Sequence, residues 1–218
     1  MNRANYEKWW SENLFKNKKF YKHLNEEIKM PSLEEFSESW MGSVNDIDRI
    51  QVRKYFKGYR SILDVGCGGS PEYYGIKKYK NLVYTGLDIT PELVEFNTNK
   101  GINCVLGSAN QIPFQDSSFE IVHSRHVLEH MSDFKKPLLE MVRVSKKIVL
   151  ISFFIELLDS EISEITLDNK DTEFEIYHNR YSKKELSDFL LKNDKVKKFK
   201  FKKLSGQSKD LLLIKIKN

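Results

Sequence analysis

Residues with the types and spacing to do chemistry gather at three places in this chain. The first is Ser61 to Ser70, Ser-Ile-Leu-Asp-Val-Gly-Cys-Gly-Gly-Ser, an apolar run that collapses into glycines. A second apolar run, Val83-Tyr84-Thr85-Gly86-Leu87, ends in Asp88. Glycines let backbone approach a ligand closely, and an acid about twenty residues further on can hold ribose hydroxyls, so this pair of features points to a nucleoside-containing cofactor. The second place is His126-Val127-Leu128-Glu129-His130, and the third is His178 within Tyr177-His178-Asn179-Arg180-Tyr181. Imidazole and carboxylate groups can move protons near neutral pH or bind a metal ion. If residues 126–130 are helical, His126, Glu129 and His130 share one face and can converge on one ligand.

Spacing separates the cofactor classes that use a strand followed by a glycine turn. A dinucleotide fingerprint needs glycine at the sixth position counted from Gly66, where this chain has Pro71. A P-loop needs Gly-Lys-Ser/Thr after its glycines, and Gly69-Ser70-Pro71-Glu72 offers no lysine to a triphosphate. Pyridine nucleotides and nucleoside triphosphates are therefore both disfavoured.

The elements that must position these residues follow from periodicity. Residues 1–57 read as an N-terminal helical cap, with Trp9, Trp10, Leu14, Phe15, Phe20, Tyr21 and Leu24 set among charges. Pro31, Ser32 and Glu35 have the spacing of a helix start, and a third helix runs through Ile47, Ile50, Val52 and Phe56. From residue 58 onward strands alternate with helices: Ser61–Val65, Glu72–Lys80, Leu82–Leu87, Pro91–Thr98, Asn103–Leu106, Phe119–Ser124, Pro137–Val144 and Ile148–Phe153. Val196–Leu204 and Leu211–Ile216, separated by Ser205-Gly206-Gln207-Ser208, read as a closing antiparallel hairpin. The expected fold is α/β, a doubly wound, Rossmann-like, mostly parallel seven-stranded sheet that ends in that hairpin, over residues 58–218. Cap and sheet are expected to form one compact unit.

Composition narrows the class further. The 218 residues carry 36 basic and 31 acidic side chains, and a net charge of +5 is too mild to be a nucleic-acid signature. A lysine-rich segment, Lys192 to Lys203, alternates with Phe199 and Phe201 as a strand with one wet face would. An acidic block from Glu156 to Glu175 reads as a solvated loop at the ligand-binding edge of the sheet. The two cysteines, Cys67 and Cys104, argue against a disulfide framework and for a reducing compartment. The opening residues lack the apolar stretch of a signal peptide, and the longest apolar run, Ile148 to Ile155, is too short to span a bilayer, so the expectation is a cytoplasmic protein without a membrane span.

The motif Asp64-x-Gly66-x-Gly68 with an acid ending the next strand resembles the class I S-adenosylmethionine-dependent methyltransferases, closest in flavour to the type 11 methyltransferase domain. The resemblance runs from about Ser61 to Phe153. It continues through Gly107-Ser108-Ala109-Asn110-Gln111-Ile112-Pro113-Phe114, Ser118-Phe119-Glu120-Ile121-Val122 and His126-Val127-Leu128-Glu129-His130. It implies that Asp64, Gly66 and Gly68 surround the methionine moiety, that Asp88 holds the ribose and that Ile89 lies against adenine, with Cys67 also among the cofactor-binding residues. Ser108 stands where the family usually has an acid, with Ala109 and Asn110 as substitutes, and Ser124 completes the cofactor set. Ser70 replaces the family's third glycine. Arg49 and Arg53 could clamp the cofactor's carboxylate, and Tyr6, Trp9, Trp10 and Trp40 either form a lid or pack.

Methyl transfer from a sulfonium is an in-line displacement in which alignment supplies most of the acceleration, and a hydroxyl acceptor also gains from a base. His126 and His178 are the expected catalytic residues. His126, Glu129, His130 and His178 together also resemble the divalent-metal site of some metal-dependent O-methyltransferases, with His126 in place of that family's first glutamate. The leading expectation is O-methylation of a small-molecule hydroxyl. An RNA or protein methyltransferase, possibly metal-assisted, and a non-catalytic cofactor-binding module are the alternatives. Nucleic acid is not an expected partner, though charge alone leaves it open.

Overall fold

A computed structural model describes residues 43–168 and 176–217. Of the expected cap, only the part from Ser43 onward falls within them; the helix start at Ser32 and the aromatic side chains of Tyr6, Trp9, Trp10 and Trp40 lie outside the described residues.

A 3-10 turn at Ser43–Asn45 leads into α1, Ile47–Arg53, and a second 3-10 turn, Lys54–Phe56. The chain then alternates between β1 (Ser61–Val65), α2 (Pro71–Gly75), β2 (Val83–Asp88), α3 (Pro91–Asn99), β3 (Cys104–Leu106) and β4 (Phe119–Arg125). After a 3-10 turn at Leu128–His130 come α4 (Lys135–Val144) and β5 (Ser145–Phe153), and a small antiparallel pair, β6 (Leu167–Asp168) with β7 (Ile176–Tyr177). The remaining elements are α5 (Lys183–Leu191), β8 (Val196–Lys203) and β9 (Asp210–Ile216).

The main sheet has the order β3-β2-β1-β4-β5-β9-β8. The first five strands are parallel and β9 runs antiparallel between β5 and β8, which is the expected seven-stranded sheet closed by a hairpin. The order reverses between β1 and β4, so the crevice at the carboxyl ends of those two strands is where such sheets place ligands. Because helices cover both faces, the central strands are apolar on both sides. Leu63, Leu87, Val122, Val149, Ile151 and Leu212 bury one face against α4 and α5, through Leu138, Met141, Leu186 and Leu190. Ile62, Tyr84, Ile121, Leu150 and Leu213 bury the other against Val52, Phe56 and Ile76. Alternate residues of one strand thus enter different cores, as the two-residue repeat requires.

Several elements differ from the sequence reading. The helix expected over Glu72–Lys80 stops at Gly75, where a Cβ would lie 2.3 Å from Cζ of Arg53. The chain then descends to β2 by turns, Tyr79 N–H donating to Ile76 O and Leu82 N–H to Tyr79 O. Conversely, α5 was not anticipated, although Ser182 caps it by accepting hydrogen bonds from the N–H groups of Lys184 and Glu185. The described part of the acidic block, residues 156–168, is also tied down: Glu164 and Arg180 pair by backbone hydrogen bonds in both directions, and Lys183 N–H donates to Leu158 O. Among the described residues no helix is long and apolar enough to cross a membrane.

Candidate active site

The glycine turn folds back over the end of β2. Gly66 and Gly68 take positive φ, 70° and 54°, and Gly66 and Cys67 N–H both donate to Leu87 O. Ser70, standing in for a third glycine, itself adopts the left-handed region at φ 56°, so the turn keeps its shape with a side chain in place. Gly68 N–H donates to Asp88 Oδ2 at 2.8 Å and Thr90 N–H to Oδ1 at 3.0 Å. Burial raises the Asp88 carboxyl above its ordinary range while those backbone donors pull the other way. From below, Asn97 Nδ2 donates to Gly68 O at 2.7 Å. At Gly66 a Cβ would meet Val127 Cγ2 at 2.3 Å, so the turn and the segment after β4 approach as closely as backbone allows. A bare, left-handed turn anchored to a carboxylate fixed in one orientation fits a nucleoside carrying a diol and a small charged tail.

The other residues expected at the cofactor divide into two groups. Ile89 is half-buried beside Asp88, and Asn110 N–H donates to Ser108 Oγ at 3.1 Å in the tight turn after β3. Ala109 packs against the first core. Cys67 points inward, its Sγ 3.5 Å from that of Cys104 beneath the turn. Ser124 Oγ donates to Val65 O at 3.1 Å and so joins β4 to β1. Asp64 is bonded within the sheet, Oδ2 accepting from Tyr84 OH at 2.9 Å and Oδ1 lying 2.7 Å from His123 Nδ1. Arg49 and Arg53 turn their guanidinium groups on Glu72, at 2.5 Å and 2.7 Å, so within the fold they hold α1 to α2. A group with only 2% of its surface exposed needs such partners, because an isolated buried charge is strongly disfavoured.

The histidines meet, but not on a helix. His126 lies just beyond β4 in the left-handed region at φ 59°, and only Leu128–His130 forms a helical turn, so the shared helical face expected for 126, 129 and 130 does not exist. The rings gather instead around Phe154. His126 meets it edge-on at 5.3 Å, His130 stacks on it at 5.3 Å, and His178 meets His130 edge-on at 5.2 Å. His130 Nδ1–H donates to Tyr177 O, Glu129 Oε1 accepts from Phe154 N–H at 2.7 Å, and His126 Nε2 lies 2.9 Å from Ser208 Oγ. Each group of the expected metal quartet is thus directed to a protein partner or an aromatic ring. Among the described residues no three His, Cys, Asp or Glu side chains are grouped to hold a metal ion.

Burial dominates the protonation of this cluster. It lowers His126 to about 2, helped by the Arg125 and Arg49 cations, and His130 to about 4. It pushes the Glu129 carboxyl up to about 8, so near pH 7 that group carries its proton. The residues 177–181 clamp the turn beneath the rings. Asn179 N–H donates to Glu129 O, Asn179 Nδ2 to Met131 O, and the Tyr181 hydroxyl to Leu128 O.

Sequence reasoning missed the polar residues around His126. Asp48 of α1 is buried, and its Oδ2 accepts from Ser208 Oγ at 2.5 Å and from Arg125 Nη2 at 3.0 Å. Ser208 belongs to the tip of the β8–β9 hairpin, which reaches the carboxyl edge because Asp210 pairs with Phe153 at the end of β5. The only sequence signal there is an ordinary turn, Ser205-Gly206-Gln207-Ser208.

Residues 63–152 match the family model described as a methyltransferase domain. Over 95 residues the chain is 35% identical to ajmaline N-methyltransferase of Rauvolfia serpentina, covering 39% of this chain and 32% of the relative. Over 91 residues it is 31% identical to the O-methyltransferase rstn1 of Aspergillus nomiae, covering 38% and 40%. The chain spans about a third of the length of the first curated relatives it matches. In fold it is similar to a SAM-dependent methyltransferase of Methanosarcina mazei, with a TM-score of 0.54, 22% identity, and 77% of this chain and 96% of that one covered. It is also similar to the 1,6-didemethyltoxoflavin-N1-methyltransferase of Burkholderia thailandensis, with a TM-score of 0.57, 11% identity, and 88% and 94% covered. The glycine turn, the acid that ends β2 and the strand end carrying Val127 all fall inside the matched segment, and that segment of the chain is a methyltransferase domain of the S-adenosylmethionine-dependent class.

Proposed function

We propose that this chain transfers a methyl group from S-adenosylmethionine to a small-molecule acceptor seated beyond the carboxyl ends of β4 and β5. The observation that carries the reading is the Gly66–Gly68 turn fastened to Asp88 by a 2.8 Å hydrogen bond and lying against Val127, one residue from the histidine cluster. Gly66, Gly68, Asp88 and Ile89 would hold the cofactor, with Ser108, Ala109 and Asn110 at its base. The cofactor supplies an electrophilic methyl carbon. The acceptor's lone pair forms the new bond, and the carbon–sulfur pair leaves with sulfur. What the protein contributes is alignment, which for a displacement of this kind can supply most of the rate.

The preferred acceptor is a hydroxyl, for which His126 and His178 are the candidate bases. A second reading, a neutral nitrogen acceptor, is favoured by the low proton affinity of His126 and by the protonated state of Glu129 near pH 7. A neutral amine attacks with its own lone pair and releases its proton after transfer, so it needs no strong base. The relatives named above include both N- and O-methyltransferases.

Calorimetry with S-adenosylhomocysteine tests the cofactor half. Wild-type protein should bind it, and Asp88→Ala should weaken binding at least tenfold, because the substitution removes the ribose acceptor and loosens Gly68. Unchanged affinity would refute the assignment of Asp88. Methyl-labelled cofactor offered with panels of phenols, alcohols and secondary amines then separates the two acceptor readings.

A further inference from the structure

His126 is joined to a chain of buried polar groups whose proton directions follow from chemistry. Asp48 has 1% of its surface exposed, and burial alone would favour its neutral form. The Ser208 hydroxyl and the Arg125 guanidinium outweigh that and hold the carboxyl below its ordinary range, so at neutral pH Asp48 is an anion that can only accept. Its Oδ2 takes Ser208 N–H at 3.2 Å, Arg125 Nε–H at 3.2 Å and Arg125 Nη2–H at 3.0 Å. The 2.5 Å contact between Ser208 Oγ and Asp48 Oδ2 therefore needs the hydroxyl proton to lie between them. With that proton committed, Ser208 Oγ can meet His126 Nε2, 2.9 Å away, only as an acceptor. The proton of the neutral imidazole consequently sits on Nε2, leaving Nδ1 as a bare lone pair. Nδ1 has no hydrogen-bond partner among the described residues.

The ring is also fixed in place. Phe154 meets it edge-on at 5.3 Å, and the left-handed backbone of His126 is held by its N–H donating to Ser152 O at 2.9 Å. Such backbone costs energy for a residue with a side chain and persists where the surroundings over-determine it. Val127, the next residue, is the one that touches the glycine turn.

We propose that Asp48 and Ser208 are positioning residues that hold His126 as its Nε2–H tautomer, so that its Nδ1 lone pair accepts a hydrogen bond from the N–H or O–H of the methyl acceptor. The acceptor class is then a molecule that carries a proton on its nucleophilic atom. The hydrogen bond to Nδ1 turns that atom's lone pair toward the methyl carbon. This inference rests on the methyl-transfer reading above. The logic is that of any imidazole whose orienting partner sets which nitrogen faces the substrate.

The test uses the full chain labelled with nitrogen-15 and long-range proton–nitrogen spectra of the imidazoles, which report the tautomer without any turnover. Wild-type His126 should show Nε2 protonated and Nδ1 bare by at least tenfold. In Asp48→Ala the Ser208 hydroxyl is released to donate to Nε2, and the ratio should shift at least tenfold toward Nδ1–H. In Ser208→Ala it should relax to the mixture of free imidazole. Should Asp48→Ala fail to fold, as its thermal melt would show, wild type and Ser208→Ala still decide. A wild-type His126 protonated mainly on Nδ1, or a ratio indifferent to both substitutions, would overturn the relay.

Titration of the S-adenosylhomocysteine complex with phenol and with aniline tests the acceptor half. The wild-type Nδ1 resonance should move with at least one probe, and in Asp48→Ala the effect should fall at least fivefold. A wild-type resonance unmoved by both overturns the role assigned to Nδ1. Absence of S-adenosylhomocysteine binding in calorimetry would instead refute the methyl-transfer reading, while the tautomer measurement would still judge the relay by itself.

Discussion

Replacing Gly66 with alanine tests whether the glycine turn is shaped by close approach rather than by composition. The backbone there has φ 70°, a region in which a residue with a Cβ is disfavoured by about 1–2 kcal/mol. The new methyl would also lie 2.3 Å from Val127 Cγ2. Valine cannot swing away cheaply, because its branched Cβ restricts χ1, and forcing a methyl into packed space costs about 1–3 kcal/mol. The sum, about 2–5 kcal/mol, is a large part of the roughly 5–15 kcal/mol that holds a domain folded. For a chain of this length it corresponds to a fall in Tm of roughly 4–20 °C.

A double-mutant cycle separates the two contributions. Val127→Ala should rescue Gly66→Ala by about 1–3 kcal/mol in urea unfolding, the part due to the clash, while the backbone part of about 1–2 kcal/mol remains. S-adenosylhomocysteine affinity, measured by calorimetry on the folded variant, should fall at least tenfold as the turn shifts. A Gly66→Ala protein destabilised by less than about 1 kcal/mol, or a cycle with no coupling to Val127, would refute the contact argument.

Two further outcomes follow from buried groups. Glu129 keeps its proton in the fold up to about pH 8 but loses it near 4.5 when unfolded, so the folded state binds more protons between those values and stability falls as pH rises through them. Glu129→Gln should abolish that slope, matching wild type near pH 4.5 and exceeding it by a few kcal/mol at most at pH 8; urea unfolding at the two pH values checks this, and equal slopes would contradict it. Asn97→Ala removes the 2.7 Å donor to Gly68 O and should cost about 1–3 kcal/mol of stability together with several-fold in cofactor-product affinity, read by thermal melts and calorimetry.

What the sequence made legible was what depends on near neighbours. Strand periodicity, the glycine pair and Asp88 are all written within a few residues of where they act, and the sheet, its order-reversing crevice and its closing hairpin followed from them. The helical reading of His126-Val127-Leu128-Glu129-His130 went wrong because tertiary contacts decide that segment. His126 N–H is taken by Ser152, Asn179 and Tyr181 hold the following turn, and a helix of only three residues survives. The partners of His126 could not be read at all, since Asp48 and Ser208 are separated by 160 residues and neither sits in a motif. Helix α5, by contrast, was there to be found in Ser182-Lys183-Lys184-Glu185, a capping box before an apolar repeat. The lysine strand proved to be an outer strand whose charged side chains stay exposed, as a strand with one wet face requires.

That outer strand has a consequence for how copies of the chain meet. A sheet's unpaired border presents backbone donors and acceptors on which another molecule's strand can assemble, and proteins guard against such stacking with short borders or with lysines. Among the described residues both devices are present. At one border β3 offers only Cys104 to Leu106; at the other, β8 lines its length with exposed Lys197, Lys198, Lys200, Lys202 and Lys203, which would face their own kind across any junction. Those lysines make that border self-repelling, so strand-by-strand aggregation there is opposed by residues that take no part in the packed interior.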